Sequence, residues 1–427
     1  MRIRVYPSRL FGEVEAPPSK SYTHRAYAAA LLADGESILI NPLKSRDTEA
    51  TRSACTLLGA GLREDGRRVL VRGGAFKTPD DVIDVGNSGT TLRFFTAISA
   101  LAPKGYAILT GDESIRRRPM KPLLEALRSL GVWCRSSRLD GRAPIIVRCG
   151  GVDGGEARIT GGISSQFISA LLYASVRSRR GARIIVDGEP VSRPYIDASL
   201  EVLRRFGFRV RREGYALFEV EGCQVGEPRE FEIPGDFGSA AFLLAGGQLT
   251  GGEVIVKGLD RSLPQADSAI IGVLRGIGCD VEVSGDRVRV RGSGGGCGGE
   301  YDLRDSPDLL PVLAVLASRS RGETVIRGVG HARFKESDRI MCIASELRKL
   351  GIEVEVLGDG LRIRGRGRIE GGCLLNPHGD HRLFMAFTIL AASTERGCLV
   401  DEAEAAAISY PQFLDHVRRL GLRFEEV

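Results

Sequence analysis

The chain has no run approaching ~18 consecutive apolar residues, so no membrane span is expected. Its start, MRIRVYPSRLFGEVEAPPSK, lacks an apolar h-region and reads as strand, so the sequence predicts no secretory leader and a cytoplasmic protein. Nine cysteines, an odd number, are widely dispersed with no C-x-x-C pair. That pattern speaks against a disulfide framework and a zinc site, and for reduced thiols. Of five histidines, only His378 and His381 lie close together, with Asp380 as their sole neighbouring ligand, so no metal is expected. Neither the P-loop nor the dinucleotide fingerprint occurs, and no catalytic cysteine or serine triad is legible. Lysine is scarce, eight against 52 arginines, which draws attention to each lysine inside a motif.

What remains is a globular composition. The 427 residues are 43% hydrophobic and 27% charged, enough for a large core. Length alone suggests about three domains. The net charge of +6 is modest and suits small anionic ligands better than a long polyanion.

A pattern of Leu, Arg, any residue, a large apolar residue, Gly and an apolar residue recurs at Leu127 to Val132, Leu203 to Phe208, Leu274 to Cys279 and Leu347 to Ile352. Val417 to Leu422 is a close copy, and Leu57-Leu58-Gly59-Ala60 a weaker one. The six glycines, 59, 131, 207, 278, 351 and 421, are spaced 70 to 76 residues apart. Each copy ends an amphipathic run, as a left-handed glycine cap would, and most feed alternating apolar residues that read as a hairpin. An apolar helix begins about 40 residues before each of these glycines, at Lys20, Asn87, Ser164, Phe237, Ser306 or Gly379. The unit predicted is strand, helix, strand, helix, hairpin, about 71 residues long, six times over. The last unit has no room for its hairpin, so the N-terminal strands at 2–6 and 11–16 are expected to supply the missing pair.

Helix N-termini attract anions through free N–H groups and the helix dipole. Gly86 to Thr91 and Gly161 to Gln166 open helices with small polar residues. Alone, each is no more than a helix cap. Lys20 and Arg25 add cations to such a start, and Arg116, Arg117, Arg118 and Lys121 crowd another without interleaved aromatics, which counts against nucleic acid. Lys335, Glu336 and Arg339 put a carboxyl beside two cations, and Asp308 is a second carboxylate at a helix start. Such a set suits proton transfer and electrostatic stabilisation on substrates carrying phosphate and carboxylate.

The motifs PPSKSYTHRA, GNSGTTLRF, RRRPM, GGISSQFISALL, SRPYID, DSPDLLPVLA, RFKESDRI and GDHRLFMAF occur in the order seen in the 5-enolpyruvylshikimate-3-phosphate synthase family, and the resemblance spans residues 2 to 415. It implies an α/β fold of two similar domains, each of three βαβαββ units, with the active site in the interdomain cleft. The domains would be 1–17 with 233–427, and 18–232. It also implies transfer of the enolpyruvyl group of phosphoenolpyruvate to the 5-hydroxyl of shikimate 3-phosphate in the shikimate pathway, releasing phosphate. No cofactor and no metal would take part, and a monomer without nucleic-acid or membrane partners is expected.

Carried over by motif, Lys20, Ser21, Arg25, Ser164, Ser165, Gln166, Ser192, Arg193, Tyr195, Asp308 and Lys335 resemble residues that hold shikimate 3-phosphate. Lys20, Asn87, Gly89, Thr90, Arg118, Gln166, Arg339 and Arg382 resemble those that hold phosphoenolpyruvate. Asp308 looks like the base for the 5-hydroxyl, and Glu336 like the acid for the methylene carbon, assisted by Lys20. This chain has His331 where many members have Asn, Ile408 where many have Lys, and Phe94 where proline often stands. Gly89 would leave room for a phosphoenolpyruvate-like inhibitor such as glyphosate. The sister family acting on UDP-N-acetylglucosamine commonly carries a reactive cysteine in the loop matching Gly111–Pro119, and no cysteine lies between Cys55 and Cys134 here. A nucleic-acid-binding repeat protein, the reading suggested by arginine excess, predicts steeply salt-dependent binding.

Overall fold

The computed structural model describes residues 1–427, which divide into two compact units. One comprises Met1–Pro17 with Pro234–Val427, the other Pro18–Ile233.

The recurring glycines close helices in one common geometry. Gly59, Gly131, Gly207, Gly278, Gly351 and Gly421 all have positive φ, between 74° and 109°. After each, the next N–H donates to the carbonyl five residues earlier, as in Val132 to Leu127 (3.0 Å), Cys279 to Leu274 (2.9 Å) and Leu422 to Val417 (2.9 Å). Each glycine N–H donates to the carbonyl three residues earlier, as in Gly351 to Arg348 (3.0 Å). These two bonds form the Schellman motif, which explains the repeat residue by residue. Its flanking apolar positions are the pair that pack across the cap. Its arginine lies in the last turn, where a cation complements the dipole.

Six four-stranded sheets share one order. In five of them, an edge strand runs parallel to a central strand, which pairs antiparallel with the second strand of a hairpin; in the C-terminal sheet Ile3–Val5 takes that second place. Gly155–Thr160, Ala182–Asp187, Leu217–Val220 and Val210–Glu213 are one example. A short ribbon, Gly296–Cys297 with Ser320–Arg321, stands outside the six.

The terminal pairing differs from the expectation. Ile3–Val5 does join the C-terminal sheet, between Cys398–Val400 and Phe424–Glu426. Phe11–Glu15 does not; it runs parallel to Glu253–Lys257 in the next sheet. The C-terminal LRFEEV provides one hairpin strand itself, so only one further strand was needed. By the same logic Glu230–Glu232, near the end of its unit, completes the sheet of Gly35–Ile40.

The first helix of each repeat is the buried one. Phe237–Thr250, Leu310–Arg319 and His381–Ala392 are almost wholly buried and form the centre of their unit's core. Lys20–Leu32, Gly89–Ile98 and Ser165–Ser175 are the corresponding buried helices of the other unit. Small residues, such as the alanines at 28–30, let neighbouring backbones approach. Burying the sides of these helices leaves their N-terminal turns as the positions where polar side chains gather.

Candidate active site

In the unit formed by Pro18–Ile233, Ser19 caps the helix Lys20–Leu32, so Lys20 is its first residue rather than the cap. A cation there opposes the dipole. Lys20 Nζ donates to Asp47 Oδ2 at 2.8 Å, from the first turn of Arg46–Leu57, which offsets that cost. The sequence analysis did not single out Asp47, an acid in the first turn of its helix.

Arg25 is buried and turned inward. It donates to Ser199 Oγ (2.9 Å), Ser21 O (2.9 Å) and Tyr195 O (2.8 Å), and its guanidinium lies over Phe94 and Tyr195. Phe94 therefore has a packing partner in Arg25, besides its contact with Tyr173. Ser192 adopts a left-handed conformation (φ 58°) before the helix Arg193–Arg205, which brings Tyr195 to Arg25. Arg193 itself is directed over the Tyr215 ring.

Beside this lies a second connected group. Arg93 donates to Gln166 Oε1 (3.0 Å) and Gly89 O (3.1 Å), and Gln166 Nε2 donates to Thr90 Oγ1 (3.0 Å). Arg118 donates to Asn87 Oδ1 (2.9 Å), and Asn87 donates to Asp112 Oδ2 (2.6 Å). A side chain at Gly89 would meet Arg93 Nη1 at 2.4 Å and Arg118 Nη1 at 2.8 Å. The missing Cβ is what lets two guanidiniums converge on this helix start. Arg93 was another miss, although it lies within the GNSGTTLRF motif. Ser164 caps Ser165–Ser175 through Gln166 N (3.3 Å), and Ser165 is buried at that helix start.

A buried hydroxyl chain backs this group. His24 Nδ1, Thr51 Oγ1, Thr91 Oγ1 and Ser88 Oγ are linked in series at 2.6 Å per step. Burial, reinforced by Lys20 and Arg25, pushes the His24 imidazolium well below the ordinary range, so it is neutral.

In the other unit, Arg339 is the hub. Its side chain is 1% exposed and meets three carboxylates: Nη1 to Asp308 (2.8 Å), Nη2 to Glu336 (2.8 Å) and Nε to Asp380 (2.7 Å). Burial alone would lower its basicity; Asp380, Glu336 and Asp308 outweigh that and raise it well above normal. Arg382 joins Asp308 at 2.9 Å, and Lys335 at 3.6 Å. Three cations and three carboxylates thus interlock. Burial, with help from Arg339 and Arg382, pulls Lys335 below the usual lysine range against the pull of Asp308 and Glu336. His331 is lowered to about 4, first by burial and then by Lys335.

Asp380, expected only at a helix start beside the histidine pair and not as a partner of Arg339, accepts from Ser337 Oγ (3.2 Å) and caps His381–Ala392 through Arg382 N (2.9 Å). The turn before it rests on buried Glu346, which accepts from Asn376 N (2.9 Å) and lies 3.1 Å from His378 Nε2. The two nearby histidines therefore part company, since His381 is buried in the following helix. No three His, Cys, Asp or Glu residues converge to hold a metal. Ile408 is buried at the end of Ala403–Ile408.

Chemically, the first unit offers Lys20, Arg93 and Arg118 at helix starts, and the second a carboxylate pair on one guanidinium. A family model described as EPSP synthase (3-phosphoshikimate 1-carboxyvinyltransferase) matches residues 5–417. A 3-phosphoshikimate 1-carboxyvinyltransferase of Korarchaeum cryptofilum is 48% identical over 423 residues, 98% of each chain. One of Methanocaldococcus jannaschii is 44% identical over 419 residues, covering 98% of this chain and 97% of its own. A solved EPSP synthase structure from Acinetobacter baumannii aligns over 99% of both chains, with a TM-score of 0.82 and 25% identity.

Proposed function

We propose residue roles on one premise: the chain belongs to the EPSP synthase (3-phosphoshikimate 1-carboxyvinyltransferase) family. It transfers the enolpyruvyl group of phosphoenolpyruvate to the 5-hydroxyl of shikimate 3-phosphate and releases phosphate by addition and elimination, a step of aromatic amino acid biosynthesis. No helix is long and apolar enough to cross a membrane. The proposed setting is cytoplasmic, and the proposed state is a monomer, which sedimentation at working concentration checks.

In the proposed mechanism Glu336 protonates the methylene carbon of phosphoenolpyruvate, with Lys20 assisting. The adjacent carbon becomes cationic, the 5-hydroxyl oxygen attacks it, and Asp308 takes the hydroxyl proton. The tetrahedral intermediate then returns a methyl proton to the Glu336 carboxylate and expels phosphate, which restores the carbon–carbon double bond. The observation that carries this reading is the shared guanidinium of Arg339, which holds Asp308 and Glu336 at 2.8 Å each and so fixes acid and base relative to one another. A substrate carboxylate or phosphate would compete for Arg339, Arg382 and Lys335, freeing lone pairs on Asp308 as the ligand arrives. Cations already in position stabilise charge developing on the leaving phosphate without reorganisation.

Phosphoenolpyruvate binding is assigned to Lys20, Asn87, Gly89, Thr90, Arg118, Gln166, Arg339 and Arg382. Arg93 is added because it donates to both Gly89 and Gln166. Shikimate 3-phosphate is assigned to Lys20, Ser21, Arg25, Ser164, Ser165, Gln166, Ser192, Arg193, Tyr195, Asp308 and Lys335. For Arg25 the contacts favour a supporting part, since it links Ser21, Tyr195 and Ser199.

The test compares phosphate release from both substrates together with release from each alone. Asp308→Ala and Glu336→Gln are expected to lose at least ~100-fold in turnover, the scale of general acid–base catalysis, while still binding shikimate 3-phosphate. Unchanged turnover in either variant removes that residue from its role.

A further inference from the structure

The nine thiols are not equivalent. Burial pushes Cys134 and Cys342 up to about 11 and Cys279 up to about 12, and raises Cys55 and Cys149 as well. Such thiols are poor nucleophiles. Cys223 and Cys297 are exposed and stand apart from other cysteines in the sequence. Cys373 is the exception, lowered while its neighbour Cys398 is raised, because the fold brings the two side by side.

Leu374–Leu375 and Cys398–Val400 are parallel strands, with Leu374 opposite Leu399 and Leu375 opposite Val400. Cys373 and Cys398 stand one step earlier in that register. The alignment continues there, since Leu399 N donates to Cys373 O (3.0 Å) and Gly372 N to Gly397 O (2.6 Å). Neighbouring strands lie about 4.8 Å apart, inside the Cα separation a disulfide spans, roughly 4.4–6.8 Å. Both thiols are free. Cys373 is half-buried, within reach of a small reagent, whereas Cys398 is buried behind it. The neighbouring Cys398 thiol draws Cys373 down to about 7 against the opposing effect of burial, and Lys349 helps. Lys349 Nζ lies 3.4 Å from the carbonyl of the adjacent Leu374.

We propose that Cys373 and Cys398 are a redox-responsive pair, oxidised reversibly by low-molecular-weight disulfides, whose bond staples the edge strand Leu374–Leu375 to its neighbour. The Cys373 thiolate attacks one sulfur of the external disulfide, forming a mixed disulfide and expelling one thiolate. The Cys398 thiol gives up its proton to that thiolate and attacks the Cys373 sulfur, expelling the second, which takes a proton from solvent. The protein loses two electrons and two protons, and the small disulfide becomes two thiols.

The location gives the bond a consequence. Leu374–Leu375 is a two-residue edge strand and leads straight into Asn376–Asp380, the turn that delivers Asp380 to Arg339. A short edge strand is where local opening is easiest. Oxidation would hold that turn in place, and reduction would release it.

The test incubates the full-length protein in glutathione buffers of rising disulfide-to-thiol ratio, followed by alkylation, intact mass and non-reducing peptide mapping. The expected product is lighter by two hydrogens, carries one link between the peptides of Cys373 and Cys398, and reverts with dithiothreitol. Amide exchange at Leu374 to Asp380 is expected to slow in the oxidised form. Cys373→Ser and Cys398→Ser should each abolish the mass loss. If the buried Cys398 variant does not fold, the half-buried Cys373 variant and the mapping on the parent decide alone. Both cysteines remaining alkylatable at the most oxidising ratio would overturn the proposal. So would a glutathione adduct at Cys373 that never resolves, a link mapped to other cysteines, or exchange that does not change.

Discussion

Asp380 is the carboxylate whose removal tests most directly how the acid and base are held. It is fully buried, lies 2.7 Å from Arg339 Nε and caps the helix His381–Ala392. Asp380→Asn keeps a cap-competent side chain and an oxygen able to accept from the guanidinium, but removes the charge. At about 4 Å between charge centres and an effective dielectric of ~20, a unit pair is worth about 4 kcal/mol. The retained neutral hydrogen bond returns about 1 kcal/mol. A net loss of about 3 kcal/mol is therefore expected, at the lower end of what breaking a buried pair costs because Asp308 and Glu336 still compensate Arg339. Asp380→Ala should cost about 2 kcal/mol more, since it forfeits that hydrogen bond and also uncaps the helix.

Two measurements separate these effects. Native-state hydrogen exchange along His381–Ala392 reads the local free energy, which suits a chain of two units better than a single unfolding midpoint. Steady-state phosphate release reads geometry. With Asp380 neutralised, Arg339 is no longer fixed on one side and Glu336 moves with it, so kcat is expected to fall on the order of 100-fold, the effect of a displacement near 1 Å. The reasoning is refuted if Asp380→Asn exchanges like the parent and turns over at the parent rate. Equal losses in the Asn and Ala variants would refute both the retained hydrogen bond and the cap argument.

Gly89→Ala should fold, because the added Cβ meets the side-chain ends of Arg93 and Arg118 rather than backbone, but KM for phosphoenolpyruvate should rise about tenfold or more, equivalent to ~1.4 kcal/mol, with KM for shikimate 3-phosphate little changed. A uniform rise in both constants would argue against that assignment. His331, lowered from 6.5 to about 4, is held neutral in the fold, so the unfolded chain takes up its proton first as pH falls. Its stabilisation is complete above pH ~6.5 and is lost progressively down to pH ~4, up to about 3 kcal/mol in all. His331→Asn should flatten the stability–pH curve in that window, and an unaltered slope would show that His331 does not titrate as argued.

The helix ends were the most legible part of the fold. A Schellman cap is local: Gly351, Ile352 and Leu347 meet because the chain turns back on itself within six residues. One sequence pattern therefore carries the whole geometry, six times. Strand partnership at the termini was less legible. Phe11–Glu15 and Glu230–Glu232 both complete sheets whose central strands lie far away in sequence, and alternating residues carry no label for their partner. Ile3–Val5 was assigned because a unit without its hairpin strand leaves a vacancy. Arithmetic on the repeat exposes such a gap, but it does not say that one strand fills it and not two.

The candidate site divides along the same line. Glycines and cations at helix starts stand out because they break local rules: Lys20 opposes a dipole, and Gly89 weakens a helix. The carboxylates that make those cations tolerable do not stand out. Asp47 and Asp380 sit where acids are favoured anyway, in the first turn or at the cap, so nothing local marks them as partners of Lys20 and Arg339. A buried cation nevertheless demands an anion, and that demand is visible one step earlier. Arg339, buried, and Lys20, half-buried at a helix start, require carboxylates that the chain must deliver from other segments. Helix-start acids of the same unit are the candidates, as Asp47 is for Lys20 and Asp380 for Arg339. The second charge of each pair is thus inferable from the first, provided burial is predicted before function is assigned.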